Sequence, residues 1–453
     1  MTVMLRRVSK AVSLMAAAVL ALAACTPADP AGGTRTIKVA YQKTDSFTAL
    51  DTMFQDAKKE FEAANQGVTV ELQPIQANDD DYGTKLALAL RSPSTAPDVF
   101  YEDTFKVRSD VDAGYLLNLD SRLAGWGEWA KFDARAKEAG KADDGGTYAV
   151  PLGTDTRAIW YNKKVFQAAG ITLPWRPASW QDILDTARKI KASNPDVIPF
   201  NLYAGKGTGE GTVMQGFYEL LYGTGAGLYD KESRKWVVGS AGFKDSLTFL
   251  QTLYRENLAV APAQALDPNI WKKVFGEWFP KAQLGATVEG SYAPSFWQKG
   301  GSYEWPAYGD EMGVAPFPTQ NGAAPGAVSM SGGWTLAVGA ETKQPDLAFN
   351  FLTTALNAKN SLAFTVASSQ IAVRTDVAAD PGYQAANPFV KDVSGLVAVT
   401  NYRPATSDYP RISAAVQEAT EAVITGSRTP EQAAADYDTA VAGIVGGDKT
   451  IRK

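Results

Sequence analysis

Apolar and polar residues alternate in two different ways in the stretch that begins at residue 36. Residues 36–42 and 68–74, TIKVAYQ and VTVELQP, are short runs rich in β-branched and aromatic residues, which is typical of strands. Between them, apolar residues recur at spacings of three and four, which predicts a helix with one buried face. This order of strand, helix and strand predicts a βαβ unit and therefore a mainly parallel sheet. The apolar helical positions are Leu50, Met53, Phe54, Ala57, Phe61 and Ala64.

The same alternation continues and ends in two acidic residues. Residues 81–92 have the pattern of a second helix, and residues 96–103, APDVFYED, form the next predicted strand. Such sheets bind ligands beyond the carboxyl ends of their strands. Glu102 and Asp103 at this strand end, and Gln42 at the end of the first strand, are therefore candidate ligand-binding residues. A solvated turn or a helix N-cap is the structural alternative for the two acids.

A short polar segment joins two apolar extended segments within residues 148–162, YAVPLGTDTRAIWYN. Such a crossing suits a hinge, where the backbone leaves one domain and enters the next. Asp155 and Arg157 would then face the cleft between the domains. An ordinary surface loop with a solvated ion pair is the alternative interpretation.

Two helices have clear start signals, and one glycine-rich run invites a functional interpretation. The helices begin after Ser179 and Thr429, each followed three residues later by Asp or Gln as in a capping box. The run at residues 204–212, AGKGTGEGT, matches neither the P-loop nor the dinucleotide-binding glycine pattern at any offset. We therefore predict no nucleotide site there.

Length and the N-terminal segment indicate a secreted protein with two lobes. A chain of 453 residues is long enough for two lobes with separate cores. Residues 1–24 combine a basic start with an apolar run that ends at the only cysteine, Cys25, and this arrangement predicts a secretory signal rather than a membrane span. Residues 25–35 are rich in proline, glycine and small polar residues, so we expect a flexible tether.

Composition excludes several classes of function. The chain carries 44 basic and 49 acidic side chains, and the signal segment removes three basic residues and no acidic one. This acidic balance argues against nucleic-acid binding. Because histidine is absent, Ser-His-Asp and Cys-His catalysis and His-based zinc sites are excluded. We expect no cofactor and no metal. Eleven tryptophans with scattered carboxylates and amides suit neutral polar ligands with flat apolar faces, such as sugars.

Residues 150–171, VPLGTDTRAIWYNKKVFQAAGI, and residues 179–191, SWQDILDTARKIK, resemble the crossover segment of a known family. This family comprises the extracellular solute-binding proteins of the sugar-binding type that serve ABC importers, and it contains maltose-binding protein. The resemblance implies an α/β, two-lobed periplasmic-binding-protein (Venus flytrap) fold with the ligand cleft between the lobes. Each lobe would be a mainly parallel sheet flanked by helices. The expected first lobe comprises residues 36–152 and 315–365, and the second comprises residues 153–314 and 366–453.

The resemblance also implies roles for individual residues. Asp155 stands six positions before Tyr161, where relatives carry a sugar-binding carboxylate. Arg374 has two interpretations, a sugar donor or an ion pair that locks the lobes. For Trp334, which follows two glycines, the alternative to sugar stacking is a buried core residue. The other implied ligand-binding residues are Tyr292 after Gly290-Ser291, Glu210 in the glycine-rich loop, and Tyr409 at the start of a C-terminal helix.

The function that follows is transport rather than catalysis. Leu22-Ala23-Ala24-Cys25 resembles the bacterial lipobox, which implies an N-terminal lipid on Cys25 and a place at the outer face of the cell membrane. We predict a monomeric, non-enzymatic substrate-binding protein that captures a mono-, di- or oligosaccharide by lobe closure and delivers it to the transmembrane subunits of an ABC permease. A secreted glycoside hydrolase with paired acids is a second hypothesis. A binder of peptides, polyamines or metal chelates on the same fold is a third.

Overall fold

The structure is a computed structural model that describes residues 35–453. The predicted signal at residues 1–24, Cys25 and the tether as far as residue 34 lie outside the described residues. Arg35, which we assigned to the tether, instead begins the first strand. Within the described range, no helix combines the length and the apolar character needed to cross a bilayer.

The described residues form fifteen strands, most of them short. They are β1 (Arg35–Lys43), β2 (Val68–Gln76), β3 (Val99–Asp103), β4 (Ala149–Gly153), β5 (Arg157–Asn162), β6 (Ile198–Asn201), β7 (Tyr229–Asp230), β8 (Lys235–Val238), β9 (Leu284–Gly290), β10 (Met312–Ala315), β11 (Phe317–Pro318), β12 (Ala327–Ser331), β13 (Trp334–Val338), β14 (Thr400–Tyr402) and β15 (Thr450–Arg452).

Eight helices of more than ten residues surround the strands in the described part of the chain. They are α1 (Ala49–Ala64), α2 (Asp79–Leu90), α3 (Trp180–Ser193), α4 (Ala241–Arg255), α5 (Pro345–Ala355), α6 (Ala358–Ser368), α7 (Tyr409–Ile424) and α8 (Pro430–Val445). Shorter helical segments include Val107–Asp112, Asp120–Gly125, Gly127–Lys131, Ala134–Lys137, Glu138–Gly140, Lys163–Ala168, Glu210–Thr212, Val213–Phe217, Tyr218–Gly223, Pro262–Ala265, Ile270–Lys273, Val274–Trp278, Pro294–Trp297, Tyr308–Glu311, Thr375–Ala378, Pro381–Gln384, Val390–Gly395, Leu396–Val399 and Gly447–Lys449.

The predicted helix starts are confirmed by their hydrogen bonds. At the start of α3, Ser179 Oγ accepts from the Asp182 amide at 3.3 Å, while the Asp182 carboxylate accepts from the Ser179 amide at 3.1 Å. At the start of α8, Thr429 and Gln432 make the equivalent reciprocal pair. Each cap satisfies backbone amides that the helix itself leaves unpaired.

The first core is built on a five-stranded sheet with the order β2-β1-β3-β13-β4. β1 is parallel to both β2 and β3, as the βαβ pattern predicts. β13 lies antiparallel between β3 and β4 and returns the distant C-terminal half of the chain to this sheet. α1 packs through Leu50, Phe54 and Phe61, each no more than 2% exposed, and full burial of such a side chain contributes about 1.5–3 kcal/mol.

The second core is built on a four-stranded sheet with the order β10-β5-β9-β6. β5 is antiparallel to both β10 and β9, and only the β6–β9 pair of this sheet is parallel. The predicted α/β class is confirmed, but antiparallel pairing is more frequent than expected because the chain enters and leaves this lobe along neighbouring strands. Smaller sheets, β11-β12-β14 and β15-β8-β7, flank this core.

The chain passes between the two cores at three places. The first crossing joins β4 to β5 through residues 154–156, where we predicted the hinge. The second joins β12 to β13, since Met330 packs in the second core and Leu336 in the first. The third lies between Val373 in the first core and Phe389 in the second.

Two of the lobe boundaries differ from those that we expected. Phe317 and Met330 pack in the second core, although residues 315–365 were assigned to the first lobe. Val373 packs in the first core, although residues 366–453 were assigned to the second lobe. Both differences have one cause. The strand pair β11-β12 and the segment after α6 each carry apolar residues that could pack in either core, and only tertiary packing decides which core they join.

The two lobes touch each other at two places outside the crossings. Ser302 Oγ donates to the Ser46 carbonyl oxygen at 2.8 Å. Arg234 Nη2 lies 3.4 Å from Asp143 Oδ2. Ser46 and Asp143 belong to the first lobe and their partners to the second, so the lobes are in direct contact in this structure.

Candidate ligand-binding cleft

The hinge crossing carries a buried ion pair. Arg157 Nη1 lies 2.7 Å from Asp155 Oδ1, and the two residues are 5% and 7% exposed. The same Asp155 oxygen accepts a hydrogen bond from the Gly332 amide at 2.7 Å. Burial alone would lower the pKa of Arg157, but Asp155, Tyr292 and Glu219 together outweigh burial and raise it, with Asp155 contributing most. Asp155 thus joins the first and second crossings at one point, as expected for a hinge, and is not a solvated loop residue.

A polar cluster behind Arg157 includes the predicted residue Tyr292. The Arg157 guanidinium lies 5.7 Å from the centre of the Tyr292 ring. The Tyr292 hydroxyl accepts from Gln215 Nε2 at 2.7 Å and donates to Glu289 at 3.3 Å. Tyr203 also donates to Glu289, at 2.5 Å. Tyr292 itself is only partly buried.

Two buried acids of this cluster have raised pKa values. Burial raises the pKa of Glu289 to about 7, although Tyr203 and Arg157 act in the opposite direction. Burial raises the pKa of Glu219 to about 8, with Arg157 again opposing. The sequence analysis selected neither residue. One signal was available for Glu289, because it is the acidic residue of the otherwise uncharged strand β9. Gln215 lies in a π-helical turn, Val213–Phe217, and such turns are frequent at functional sites.

A second arginine connects the lobes across the cleft. Arg403 follows β14 in the second lobe, and its Nη2 lies 2.6 Å from Asp103 Oδ1 in the first. Its Nη1 lies 3.4 Å from Glu210 Oε1 in the second. Glu210 is held in turn by the hydroxyl groups of Tyr409, at 2.5 Å, and Ser413. The predicted carboxylates Asp103 and Glu210 are therefore brought together, although an arginine that the sequence analysis did not select stands between them.

Trp334 begins β13 directly opposite Asp103. Its ring stacks on Tyr101 with centroids 4.2 Å apart and an interplanar angle of 8°. Trp334 is only partly buried, whereas Tyr101 is 2% exposed. Tyr101 thus supports one face of the indole at the edge of the first core. Trp334 is not fully buried, but it packs against the first core, so sugar stacking by its ring stays a prediction.

Glu102, the neighbour of Asp103, does not lie in the cleft. Successive side chains of a strand point to opposite faces, and Glu102 is 1% exposed within the first lobe. Burial raises its pKa well above the usual range, and Asp110 acts in the same direction. The expectation that Glu102 binds ligand is therefore wrong, and of this acidic pair Asp103 is the one that reaches the cleft.

Arg374 and Tyr409 are structural rather than ligand-facing. Arg374 is 1% exposed and makes ion pairs of 2.7 Å with Glu128 and Asp376. It also donates to the Leu356 carbonyl oxygen at 2.7 Å. The ion-pair interpretation is thus the correct one, but the pair fixes the third crossing to the first lobe and does not lock the lobes together.

The buried ring of Tyr409 is fully inaccessible, which excludes stacking on a ligand. The resemblance placed the correct helix start here but not the direction of the side chain.

Gln42 is 8% exposed and donates to the Ala77 carbonyl oxygen at 3.2 Å. It therefore contributes to the first lobe where β1 ends.

Tyr402 is an exposed aromatic residue at the cleft that sequence reasoning missed. It is 48% exposed, and β14 pairs it with Ser331 at the second crossing. Partial burial raises its pKa, and the nearby charge of Asp155 contributes to the same shift. An exposed ring beside the hinge acid is a suitable stacking surface for a ligand. The TNYR segment at residues 400–403 is short and has no periodic pattern, so no sequence signal marks Tyr402.

Two cavities lie between the lobes away from these residues. A cavity of about 910 Å³ is lined by Trp297 and Tyr308 of the second lobe and by Leu362 and Val366 of α6. A cavity of about 170 Å³ lies beside it, near Phe47. Neither is lined by a predicted ligand-binding residue. In the described residues, no group of three or more Cys, Asp or Glu side chains is arranged to hold a metal ion.

Two cores joined by three crossings, with acids, arginines and aromatic rings near them, are the architecture of a two-lobed binding protein. Residues 43–361 match the model of the bacterial extracellular solute-binding protein family, and the chain belongs to this family.

Relatives with known names agree with this assignment. A putative binding protein of Brucella abortus is 32% identical over 152 residues, which are 33% of this chain and 34% of that protein. The chain therefore spans about a third of the length of this relative. A probable ABC transporter-binding protein of Deinococcus radiodurans is 26% identical over 414 residues, which are 87% of this chain and 91% of that protein.

Solved structures show the same architecture. The GacH receptor of Streptomyces glaucescens, solved without ligand and in complex with acarbose, superposes with a TM-score of 0.76. The alignment covers 91% of this chain and 99% of that chain at 24% identity. At this identity the likeness concerns the fold, and it confirms the two-lobed α/β architecture.

Proposed function

We propose that this chain is the lipid-anchored, extracytoplasmic substrate-binding protein of an ABC sugar importer. The proposal rests on one observation, which is that partly exposed aromatic rings lie near buried ion pairs at the hinge. Trp334 of the first lobe and Tyr292 and Tyr402 of the second accompany Asp155 and Arg157. The carbohydrate-type ligand acarbose in the GacH complex supports the same ligand class.

The chemistry of this cleft suits carbohydrate. Sugar rings present C–H faces that pack on Trp334 and Tyr402, while each hydroxyl needs a hydrogen-bond partner once water is expelled. Asp155 accepts such bonds and Arg157 donates them, and charged partners make the stronger bonds. Because both side chains are already fixed by each other, little side-chain entropy is lost when the ligand binds.

Closure would transmit the bound state to the permease. A ligand that touches Trp334 in one lobe and Tyr292 in the other makes all of its contacts only when the lobes meet. It therefore favours the closed state by its differential affinity for the two states. We infer that the transmembrane subunits of the permease recognise the closed pair of lobes, and that a lipid on Cys25 keeps the monomer at the membrane.

Carboxylates paired with arginine suit binding better than hydrolysis. A glycosidase needs one carboxylic acid that donates a proton and one carboxylate that acts as base or nucleophile. Asp155 is occupied by Arg157, and Asp103 and Glu210 share Arg403. We therefore expect a disaccharide to be recovered unchanged after incubation with the protein. Release of monosaccharide would favour the hydrolase hypothesis instead.

A thermal-shift screen followed by calorimetry tests the proposal. The screen compares mono- and disaccharides with peptides, polyamines and metal chelates, and we expect stabilisation by one or more carbohydrates only. Trp334→Ala and Asp155→Ala should weaken that ligand at least tenfold. Trp129→Ala is the matched control, because Trp129 is partly buried among first-lobe residues such as Trp126. Unchanged affinity in both cleft variants, or stabilisation by peptides alone, would overturn the proposal.

A further inference from the structure

Arg403 bridges the two lobes through two of the predicted ligand-binding residues. Its guanidinium contacts Asp103 at 2.6 Å and Glu210 at 3.4 Å, and Asp103 is the strand partner of Trp334. Two acids from opposite lobes thus contact one planar group, so the gap between them is one guanidinium wide. The Arg403 side chain is 5% exposed even though it belongs to a loop after β14.

The hinge places Arg403 beside Asp155 as well. A methyl group added to the Gly332 Cα would lie 3.5 Å from Arg403 Nη2 and 3.8 Å from Asp155 Oδ1. The two atoms therefore border the same small space next to the second crossing. A ligand group that reaches Asp155 through this space therefore also meets Arg403.

Contacts on several sides hold Arg403 in this place. The guanidinium lies 4.3 Å from the centre of the Phe105 ring, within the range of a cation–π interaction. Phe105 follows β3 of the first lobe, yet it packs against the second core and meets Tyr409 edge to face at 5.5 Å. A ligand that displaced Arg403 would leave Asp103 and Glu210 without their arginine, which is costly because both carboxylates are largely withdrawn from solvent.

We propose that Arg403 determines ligand length, so that the cleft accepts a single sugar ring or an alditol and excludes longer saccharides. This inference rests on the proposed function, since it concerns the carbohydrate held at Asp155 and Trp334. The bridge from Arg403 to Asp103 crosses the cleft in the closed state, and a second ring on the Glu210 side collides with it. A disaccharide then either prevents closure or breaks the bridge, and both reduce its affinity.

Calorimetric titration of wild type and Arg403 variants tests this inference. The probes are D-glucose, D-xylose and D-mannitol as short ligands, and maltose, cellobiose and maltotriose as long ones. Wild type should bind its preferred short probe at least tenfold more tightly than any long probe. Arg403→Ala should reduce the ratio of short-probe affinity to long-probe affinity at least tenfold, because removal of the side chain opens the space between Asp103 and Glu210.

Two further variants make the experiment decisive. Arg403→Gln keeps hydrogen-bonding capacity beside Asp103 in a shorter side chain and should give an intermediate ratio even if the alanine variant folds poorly. Arg411→Ala removes an arginine that is 60% exposed and contacts Asp408 and the Ile444 carbonyl oxygen, neither of which belongs to the proposed site, so its ratio of short-probe to long-probe affinity should equal that of wild type.

The outcomes separate this inference from the proposed function. Tighter binding of a long probe by wild type, or an unchanged ratio in both Arg403 variants, would overturn the length inference and leave carbohydrate binding intact. Failure of wild type and all variants to bind any of the six probes would count against carbohydrate binding itself, and the length inference would fall with it.

Discussion

The two buried acid–arginine pairs of the cleft differ in how the chain brings their members together. Asp155 and Arg157 are two positions apart on one crossing, whereas Asp103 and Arg403 come from different lobes and are separated by 300 positions. The first pair lies within one crossing segment, whereas the second joins the two lobes. We therefore expect the hinge pair to stabilise the fold and the bridging pair to stabilise the closed conformation.

The largest predicted effect is that of Arg157→Ala. Its removal leaves Asp155 buried without its partner and removes the positive charge that Glu219 and Glu289 face. Loss of one member of a buried pair costs about 3–5 kcal/mol, and we expect the free energy of unfolding to fall by that amount. Urea denaturation of the unliganded protein measures it.

A matched control for this prediction is Arg188→Ala. Arg188 pairs with Glu256 at 2.7 Å, but both side chains are 40% exposed, so the loss should be below about 1 kcal/mol. Equal losses for the two variants would contradict the assignment of the hinge pair as a structural element.

The bridging pair should act on conformation more than on folding. Asp103→Asn removes the charge that Arg403 meets across the cleft and weakens a charge-assisted hydrogen bond, a change of about 1.5–3 kcal/mol in favour of the open state. The radius of gyration of the unliganded protein, measured by small-angle X-ray scattering, should increase. If the variant kept the radius of gyration of wild type but had a lower free energy of unfolding, the bridge would stabilise the fold and not the closed conformation.

Stability should decrease as pH rises through neutrality because of the cluster behind the hinge pair. The pKa of Glu289 is raised to about 7 and that of Glu219 to about 8, so the folded state binds more protons than the unfolded state between about pH 4.5 and 8. The contribution of each neutral acid to the free energy of unfolding is therefore fully present at the lower pH. It is lost as the pH rises through the folded-state pKa, at up to about 1.4 kcal/mol per pH unit.

Denaturation at pH 5.5 and 7.5 checks this dependence. Glu219→Gln and Glu289→Gln should each make the free energy of unfolding depend less on pH. Glu256→Gln should not, because Glu256 is an exposed acid whose pKa is lowered by Arg188. A wild-type protein that gains stability over this interval would contradict the assignment.

The smallest effect is expected at the exposed contact between the lobes. Asp143→Asn removes the partner of Arg234, and their side chains are 60% and 76% exposed. Solvent screens such a pair, so its contribution to closure should be between 0 and about 1 kcal/mol. The scattering radius of this variant should equal that of wild type. An increase as large as that of Asp103→Asn would place the closing contact at the rim of the cleft and not at Arg403.

The same contrast explains which parts of the structure were predictable from the sequence. The β1-α1-β2 unit and the capped helices α3 and α8 depend on residues that are near each other in the chain, and they were predicted with nearly correct bounds. The hinge at Asp155 belongs to the same category, because a polar crossing between apolar strands is a local pattern.

The incorrect predictions concern side-chain direction and distant contacts. Glu102 and Asp103 are equivalent as a sequence motif, and only strand alternation in the folded sheet sends one inward and the other to the cleft. Tyr409 and Arg374 were placed by resemblance, which locates an element but not the direction in which a side chain points. Arg403 and Tyr402 could not be found because their partners lie in segments that only the tertiary fold brings together.

A crystal structure with the carbohydrate selected by the thermal-shift screen tests the central claim most directly. The account predicts one ligand between the lobes, with a ring face on Trp334 or Tyr402 and a hydroxyl within hydrogen-bond distance of Asp155 or Arg157. A ligand bound instead in the cavity beside Trp297 and Val366, with the hinge pair untouched, would contradict it.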